Sequence, residues 1–355
     1  MTREKINIVI MALAAVLLAG CADETREGAA ERVPVSFWSG IARSSTRTTT
    51  RDNVWSGSEH IMITDGVTNK TYKPASEGTS VALEAIDSDN ILYWPIDKGS
   101  RTFEAWYPAN GGSKPTVWTV ATDQNALADA STFDDYDLLY ATSGVVSNGS
   151  TVTLDFYHQM AHVIVYIRGL AWTGQEISSI TFGSNNVAVT GTVAMGTTGI
   201  PSASVNWTVS SDDKTNTVTL RNQANTLTYE CLLPPQTGGS SSTTLLAFHT
   251  TTDQTYYEAN RTSSEGSWEP AMASKTYHYN APIDLEAGKE YSFFIRLERV
   301  GLSVASTISD WDPNVSEQEV EVEYQPVTLG GNLGDWNPEV TTVVSDAALD
   351  FTYTE

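Results

Sequence analysis

Two histidines spaced four residues apart, His158 and His162, are the residues in this chain that first suggest metal chemistry. On a helix, side chains four residues apart share a face and can bind one metal ion. The residues around them alternate between apolar and polar, which predicts a strand. On a strand the two side chains would be about 13 Å apart, too far for one metal ion with ligand bonds of ~2 Å. We therefore interpret both histidines as core or surface residues, and we expect no metal site.

A cluster of carboxylates, Asp134, Asp135 and Asp137, could support the acid–base chemistry that cleaves glycosidic bonds. Carboxylates are abundant here, with 43 Asp and Glu against 20 Lys and Arg, so clustering by chance is expected. The cluster lacks the spacing of a calcium-binding loop, and we interpret it as a solvated turn. The sequence contains no Gly-x-Ser-x-Gly, Gly-x-Gly-x-x-Gly or His-Glu-x-x-His motif. We therefore expect neither an enzyme nor a bound cofactor.

The first of two cysteines, Cys21, follows a basic start, an apolar run of 12 residues from Ile8 to Ala19, and Gly20. This order is typical of a secretory signal peptide, and the run is shorter than the ~18 apolar residues of a membrane span. The small pair followed by cysteine resembles a bacterial lipobox, in which the thiol is lipidated and the cysteine becomes the new N-terminus. An ordinary signal peptide with a chance cysteine is the alternative.

The second cysteine, Cys231, lies in an apolar segment just before Pro234 and Pro235. If Cys21 carries lipid, Cys231 has no partner for an intramolecular disulfide. We interpret it as a buried small apolar residue of a strand.

Period-2 alternation predicts the elements that must hold these side chains. It recurs along most of the chain after Val33, whereas helical character is confined to a short candidate helix from Asp123 to Ala130. A candidate hairpin joins residues 207–209 to residues 218–220. Strands separated by turn signals, without crossover helices, predict an all-β fold of antiparallel sandwiches.

The charge balance excludes one class of partner. The net charge is −23, and an acidic surface repels phosphate backbones, so we expect no nucleic-acid partner. It also disfavours electrostatic docking on an anionic bilayer, whereas acyl chains on Cys21 would supply membrane affinity.

Four segments, in this order, resemble the fimbrillin superfamily of surface lipoproteins from Gram-negative bacteria. They are the Thr/Arg loop Ser45–Arg51 leading to Trp55, the strand Phe103–Pro108, the pair Asp137–Ala141 and Leu154–Ala161, and the late segment Ile308–Trp311. The matches cover roughly residues 33 to 325. The resemblance implies two tandem transthyretin-like antiparallel β-sandwich domains.

The resemblance and the leader together divide the chain into five parts. We predict a lipoprotein signal peptide (1–20), a lipidated tether with the first strand and an Arg-containing processing loop (21–52), an N-terminal sandwich (53–149, its first strand at about 33–38), a C-terminal sandwich (150–325) and a C-terminal strand-forming tail (326–355).

The resemblance also implies a function, a structural or adhesive subunit of a cell-surface pilus. In that family the precursor crosses to the outer membrane as a lipoprotein, here through Cys21. An Arg-directed protease removes the lipid and the first strand, and a strand from another pilus subunit fills the groove. Here the removable strand would be Val33–Trp38, and the cut would follow Arg47 or Arg51, with Arg43 as a third candidate. These arginines are equally compatible with a solvated loop.

The tail departs from the family pattern. Asp310–Val315 recurs as Asp335–Val340, and the second copy could be an extra donor strand or the sign of a tip or accessory subunit. The donor strand itself would be Val340–Val344 or Leu349–Tyr353.

Two other functions stay open from the sequence. One is a non-polymerising surface lipoprotein that binds host proteins or glycans through exposed Trp and Tyr side chains. However, Trp94, Trp106 and Trp118 lie in or beside predicted strands, which favours a place in the core. The other is a secreted β-sandwich hydrolase.

Overall fold

The structure is a computed structural model, and it confirms the all-β fold class. It describes residues 32–41, 54–127, 130–170, 175–195, 205–223, 226–252, 274–298, 302–310 and 325–326. The elements are β1 (Phe37–Ile41), β2 (Ile61–Thr64), β3 (Asn69–Pro74), β4 (Ser80–Ala85), β5 (Arg101–Tyr107), β6 (Val117–Thr119), α1 (Ala130–Asp134), β7 (Leu139–Val146), β8 (Val152–His158), β9 (Ala161–Gly169), β10 (Gln175–Val187), β11 (Thr190–Ala194), β12 (Asn206–Thr208), β13 (Asn216–Thr219), β14 (Arg221–Asn222), β15 (Thr228–Leu233), β16 (Gln236–Gly238), β17 (Thr244–Thr252), β18 (Ser274–Asn280), β19 (Ile283–Leu285), β20 (Lys289–Leu297), β21 (Leu302–Asp310) and β22 (Gln325–Pro326).

The first strands form a closed barrel in the order β1-β4-β3-β2-β5-β7-β8. β1 closes it, because it pairs antiparallel with β4 on one side and parallel with β8 on the other. The apolar residues of each strand alternate with polar ones, so one side of the sheet lines the interior. In β8, for example, Val152, Leu154 and Phe156 are buried, whereas Thr153 and Asp155 are exposed.

Two further sheets pack face to face as a sandwich. One has the order β13-β10-β17-β18 and the other the order β14-β15-β9-β20-β21-β22. Their facing side chains, among them Phe182, Phe248, Val165 and Phe293, form a second apolar core. A small pair, β16 with β19, lies beside this core.

A third apolar core joins the barrel to the sandwich. It contains barrel residues such as Trp106 and Tyr140 and the sandwich residue Leu232. A three-stranded sheet, β12-β11-β6, contributes Trp118 and Val193 to the same core. β6 comes from the N-terminal part of the chain and pairs with β11, so the two parts are linked by backbone hydrogen bonds as well as by packing.

The chain passes from the barrel to the sandwich after residue 150, the position at which we predicted that the second sandwich begins. β8 begins at Val152, yet it completes the barrel by pairing with β1 and β7. The turn signal near Gly149 therefore marks a connection inside the barrel. The chain first enters the sandwich at β9, which begins at Ala161.

Two local predictions are wrong. The chain forms a turn at Asp123, where a helix was expected to begin. The Asp123 carboxylate accepts hydrogen bonds from the backbone N–H groups of Asn125 (3.1 Å) and Ala126 (3.2 Å), which stabilise the turn. The helix of this region lies at Ala130–Asp134. The predicted hairpin does not form either. β12 pairs with β11, whereas β13 pairs with β10 in another sheet.

None of the helices in the described part of the chain has the length and apolar character needed to cross a membrane.

Candidate functional site

Most of the predicted site residues lie outside the described ranges. These are Cys21, Arg43, Arg47, Arg51 and both candidate donor segments of the tail. The predicted removable strand, Val33–Trp38, is described, and it overlaps β1. The structure therefore describes the position that this strand occupies, which we call the first-strand slot and define by β1 and its neighbours β4 and β8.

The first-strand slot has an apolar floor. Val35, Phe37 and Ile41 point inward and are buried, whereas Val33, which alternates with Val35 and Phe37 in the sequence, is 51% exposed. Phe37 makes edge-to-face contacts with the rings of Tyr72 (5.1 Å between centroids) and Phe103 (5.2 Å). Burying an aromatic side chain of this kind typically contributes about 1.5–3 kcal/mol, so Phe37 is the main apolar anchor of β1.

The slot also offers two backbone edges. Residues 37–40 are in register with Ser80–Leu83 of β4, and residues 37–41 with Val152–Phe156 of β8. Upstream, the Val35 N–H donates to the Leu92 carbonyl, and the Trp94 N–H donates to the Val33 carbonyl, both at 2.9 Å. The chain entering β1 is therefore held as an extended strand before β1 begins.

One inward position in the slot is polar. Ser39 has an exposed fraction of 0%, and its hydroxyl has no hydrogen-bond partner among the described residues. It lies in register with two buried apolar residues, Val81 of β4 and Leu154 of β8.

An acidic cleft of about 980 Å³ opens at the end of the slot, where β1 ends at Ile41 and the described chain resumes at Val54. Its carboxylates come from Glu59, Glu77, Asp134, Asp135 and Asp137. The Tyr107 hydroxyl donates to Asp135 at 3.1 Å. Burial, together with the nearby charges of Asp135, Asp134 and Glu59, raises the pKa of Tyr107 far above its ordinary value. The cleft is thus a region of negative potential.

The three aspartates of the predicted solvated turn do not behave alike. Asp135 is exposed, as expected, whereas Asp137 is buried, with its carboxylate 2.7 Å from the His158 ring nitrogen Nδ1. The burial of the Asp137 carboxylate is explained by its pairing with His158, which is 21 positions away in the sequence. The residues next to Asp137 in the sequence therefore could not predict it.

The two histidines are buried, as core residues are, but they lie on different strands. His158 ends β8 in the barrel, and His162 lies in β9 of the sandwich, because the chain changes sheet between them. His162 Nε2 is 3.2 Å from the Glu230 carboxylate, and Nδ1 is 3.6 Å from the Glu290 carboxylate. Within the described residues, no group of His, Cys, Asp and Glu side chains could hold a metal ion.

Glu230 is the centre of a buried charged network. It accepts a hydrogen bond from Arg221 at 3.0 Å as well as facing His162. Burial alone would raise the pKa of Glu230, but hydrogen bonding and charge from His162, with Arg221, lower it overall. The network links β14, β15 and β9, and we interpret its role as structural.

Cys231 and the tryptophans lie where the sequence predicted. Cys231 is fully buried in β15, and Trp94, Trp106 and Trp118 are buried in the cores. None of these side chains contributes to an exposed binding surface.

These observations define a class, all-β proteins in which the first strand closes a barrel and lies between two other strands. A family model described as fimbrillin-like matches residues 44–311. The chain belongs to the fimbrillin-like family, which confirms the resemblance found in its sequence.

Individual proteins resemble this chain in sequence or in fold. A candidate fimbrium subunit of Bacteroides uniformis, Fim1C, is 24% identical over 346 residues, which cover 87% of this chain and 96% of that protein. A solved structure of a candidate cell-adhesion protein from Bacteroides uniformis shares the fold with a TM-score of 0.53 at 20% identity, covering 81% of this chain and 100% of the other. A similar protein from Bacteroides ovatus has a TM-score of 0.53 at 17% identity, covering 79% and 98%.

Proposed function

We propose that this chain is a non-enzymatic structural and adhesive subunit of a cell-surface fimbrium, assembled by strand exchange after removal of β1. The observation that carries the proposal is the position of β1, which lies between two strands that both offer backbone hydrogen bonds. Membership of the fimbrillin-like family, and a relative named as a candidate fimbrium subunit, support the same function.

Removal of β1 would leave a groove suited to another strand. The facing edges of β4 and β8 would lose their hydrogen-bond partners, and the buried side chains of Tyr72, Phe103 and Leu154 would line the floor. Unpaired strand edges above apolar pockets bind extended segments, with affinity from the main chain and register from alternate side chains.

The candidate cut sites lie at a suitable place in the chain. Arg43, Arg47 and Arg51 fall between Ile41, the last residue of β1, and Val54, where the described chain resumes. A cut after Arg47 or Arg51, with Arg43 as the third candidate, would separate β1 from the rest while leaving every other described strand intact. The same cut would remove the upstream lipid on Cys21, so the precursor would be an outer-membrane lipoprotein and the product a fimbrial subunit.

The replacement strand would come from the tail of another copy or subunit, through Val340–Val344 or Leu349–Tyr353. In this proposal the barrel and the sandwich are the two domains of the subunit, with the join between His158 and Ala161 rather than at residue 150.

The alternative, a surface lipoprotein that binds glycans or host ligands without polymerising, has weaker support. A row of exposed aromatic rings would favour it. In the described part of the chain, the exposed Trp, Tyr and Phe side chains are Trp38 (44%) and Tyr93 (37%), which do not constitute such a row.

One experiment tests the proposal. Cells expressing the full precursor are treated with an Arg-specific protease, and we expect the chain to move from the membrane fraction to the soluble one with a new N-terminus after Arg43, Arg47 or Arg51. The concentrated product should form ladders that resist SDS. A variant with Arg43, Arg47 and Arg51 changed to lysine keeps the charge and should retain β1, so it should stay monomeric after the same treatment. A trimmed protein that stays monomeric at high concentration would contradict strand exchange, and a Cys21→Ser variant that remains in the membrane fraction would contradict the lipid anchor.

A further inference from the structure

We infer that Ser39 determines which strand the first-strand slot prefers, and that the preferred strand carries an alanine-sized apolar side chain at this position. The consequence for assembly depends on the proposed strand exchange. The physical basis depends only on the geometry of the intact chain.

The residues that surround Ser39 on the inner face of the barrel, as the strand pairing defines them, are apolar. Val81 and Leu154 lie opposite it on the two neighbouring strands, and Phe37 and Ile41 precede and follow it on the same face of β1. All four are buried, and the Ser39 hydroxyl has no partner within the described residues.

A buried hydroxyl without a hydrogen-bond partner is destabilising, because it loses its bonds to water and gains none in the protein. Alanine has nearly the same size and no polar group, so it would fit the position without this cost. A leucine or phenylalanine would be too large for a closely packed barrel interior. The strand that this chain carries in its own slot is therefore a poorer fit than a closely related strand with alanine at the same place.

The poor fit of β1 in the slot is confined to Ser39. Phe37 is well packed between Tyr72 and Phe103, and the outward Trp38 donates from its indole N–H to the Ser80 hydroxyl at 2.6 Å. β1 is thus held firmly at its start and weakly near its centre. An incoming strand with the order apolar, aromatic, small apolar, apolar at the positions of Val35, Phe37, Ser39 and Ile41 would keep the good contacts and lose the poor one. Neither Val340–Val344 nor Leu349–Tyr353 has this order, so we infer that the preferred strand comes from a different subunit and not from the tail of another copy.

The first test uses the intact chain and does not involve exchange. We expect Ser39→Ala to increase the ratio of folded to unfolded protein about tenfold in urea unfolding. Ser36→Ala is the matched control, because Ser36 lies on the same segment but is exposed, and the ratio should change by a factor of about two or less. A Ser39→Ala chain that is equally stable, or less stable, would overturn the inference.

The second test measures binding in the slot. Chain cut by the Arg-specific protease and freed of its own strand is titrated with labelled peptides spanning Val33–Ile41, which carry Ser, Ala or Leu at position 39. We expect the Ala peptide to bind about tenfold more tightly than the Ser peptide, and the Leu peptide to bind more weakly than either. Equal binding of the Ser and Ala peptides would overturn the role of Ser39 while leaving strand exchange in place. Binding of no peptide would instead overturn strand exchange, and the urea experiment would still decide whether Ser39 is a poor fit.

Discussion

Among individual residues, the buried thiol of Cys231 has the clearest consequence for stability. Burial, and then the nearby charge of Glu230, raise the pKa of the thiol well above its ordinary value. The unfolded chain has no such environment, so its thiol ionises near pH 8.5. Between these two pKa values the folded state holds a proton that the unfolded state has released, and stability must fall as the pH rises.

We therefore predict that the free energy of unfolding decreases above about pH 8.5, with a slope approaching 1.4 kcal/mol per pH unit from this one proton. Urea unfolding at intervals between pH 7 and pH 10 measures it. Cys231→Ala should remove the slope in this range. Above pH 10 a further decrease should persist in both proteins, because burial raises the pKa values of Tyr107, Tyr277 and Tyr291. A wild-type curve that is flat from pH 8.5 to 10 would contradict the prediction.

Among the strands, β6 connects parts of the molecule that are distant in sequence. It belongs to the N-terminal part of the chain, yet it pairs with β11 next to the sandwich. Its central residue, Trp118, is buried in the third core, and the indole N–H donates to the Tyr136 carbonyl at 2.9 Å. Through these contacts β6 makes the barrel and the sandwich depend on each other.

We predict that Trp118→Ala lowers the free energy of unfolding by about 3–5 kcal/mol, the usual cost of removing a large buried side chain. The barrel and the sandwich should then unfold separately, so calorimetry should show two transitions, whereas we expect one for the natural chain. Val117→Ala is the control, since Val117 is its exposed neighbour on the same strand, and its effect should be small. An unchanged single transition for Trp118→Ala would show that β6 does not couple the two parts.

How far the sequence predicts these elements depends on what each pattern encodes. Alternation indicates which side chains of a strand share a face, and Phe37, Leu154 and Phe293 follow it into the cores. Alternation does not encode the neighbouring strand, because the same pattern fits either side of a barrel or a sandwich. For this reason the sheet of β8 and the partners of β12 and β13 were missed.

The candidate site was predictable to a similar degree. That a strand overlaps Val33–Trp38 followed from the resemblance and the alternation, whereas its bounds, Phe37–Ile41, did not. The burial of Asp137 did not, because it depends on His158 from another strand. The acidic cleft was missed for the same reason, since Glu59, Glu77 and Asp134 meet only after folding.

Over the whole molecule, the dominant property is negative charge. The net charge is −23, with 43 acidic residues against 20 Lys and Arg, and the cleft beside β1 concentrates five carboxylates. Copies of this chain therefore repel each other as they approach, and salt weakens that repulsion, because its range is about 10 Å at 0.1 M ionic strength.

We predict that trimmed chains assemble several-fold faster at 300 mM than at 10 mM sodium chloride, measured by light scattering at fixed protein concentration. The peptide spanning Val33–Ile41 has no acidic residue and is the control, and its uptake by the same slot should respond much less to salt. Assembly that slows with added salt would show that attraction between opposite charges, rather than repulsion, governs the approach of the copies.

The mixed pairing of β1 has a consequence for polarity. With one antiparallel neighbour and one parallel neighbour, a strand inserted head-first or tail-first meets the same combination, one pairing of each kind. The backbone is therefore nearly indifferent to direction, and only the unequal sequence of large and small pockets along the groove can tell the two orientations apart. If copies join through this groove, a few side chains, and not backbone hydrogen bonds, determine the polarity of the resulting fibre.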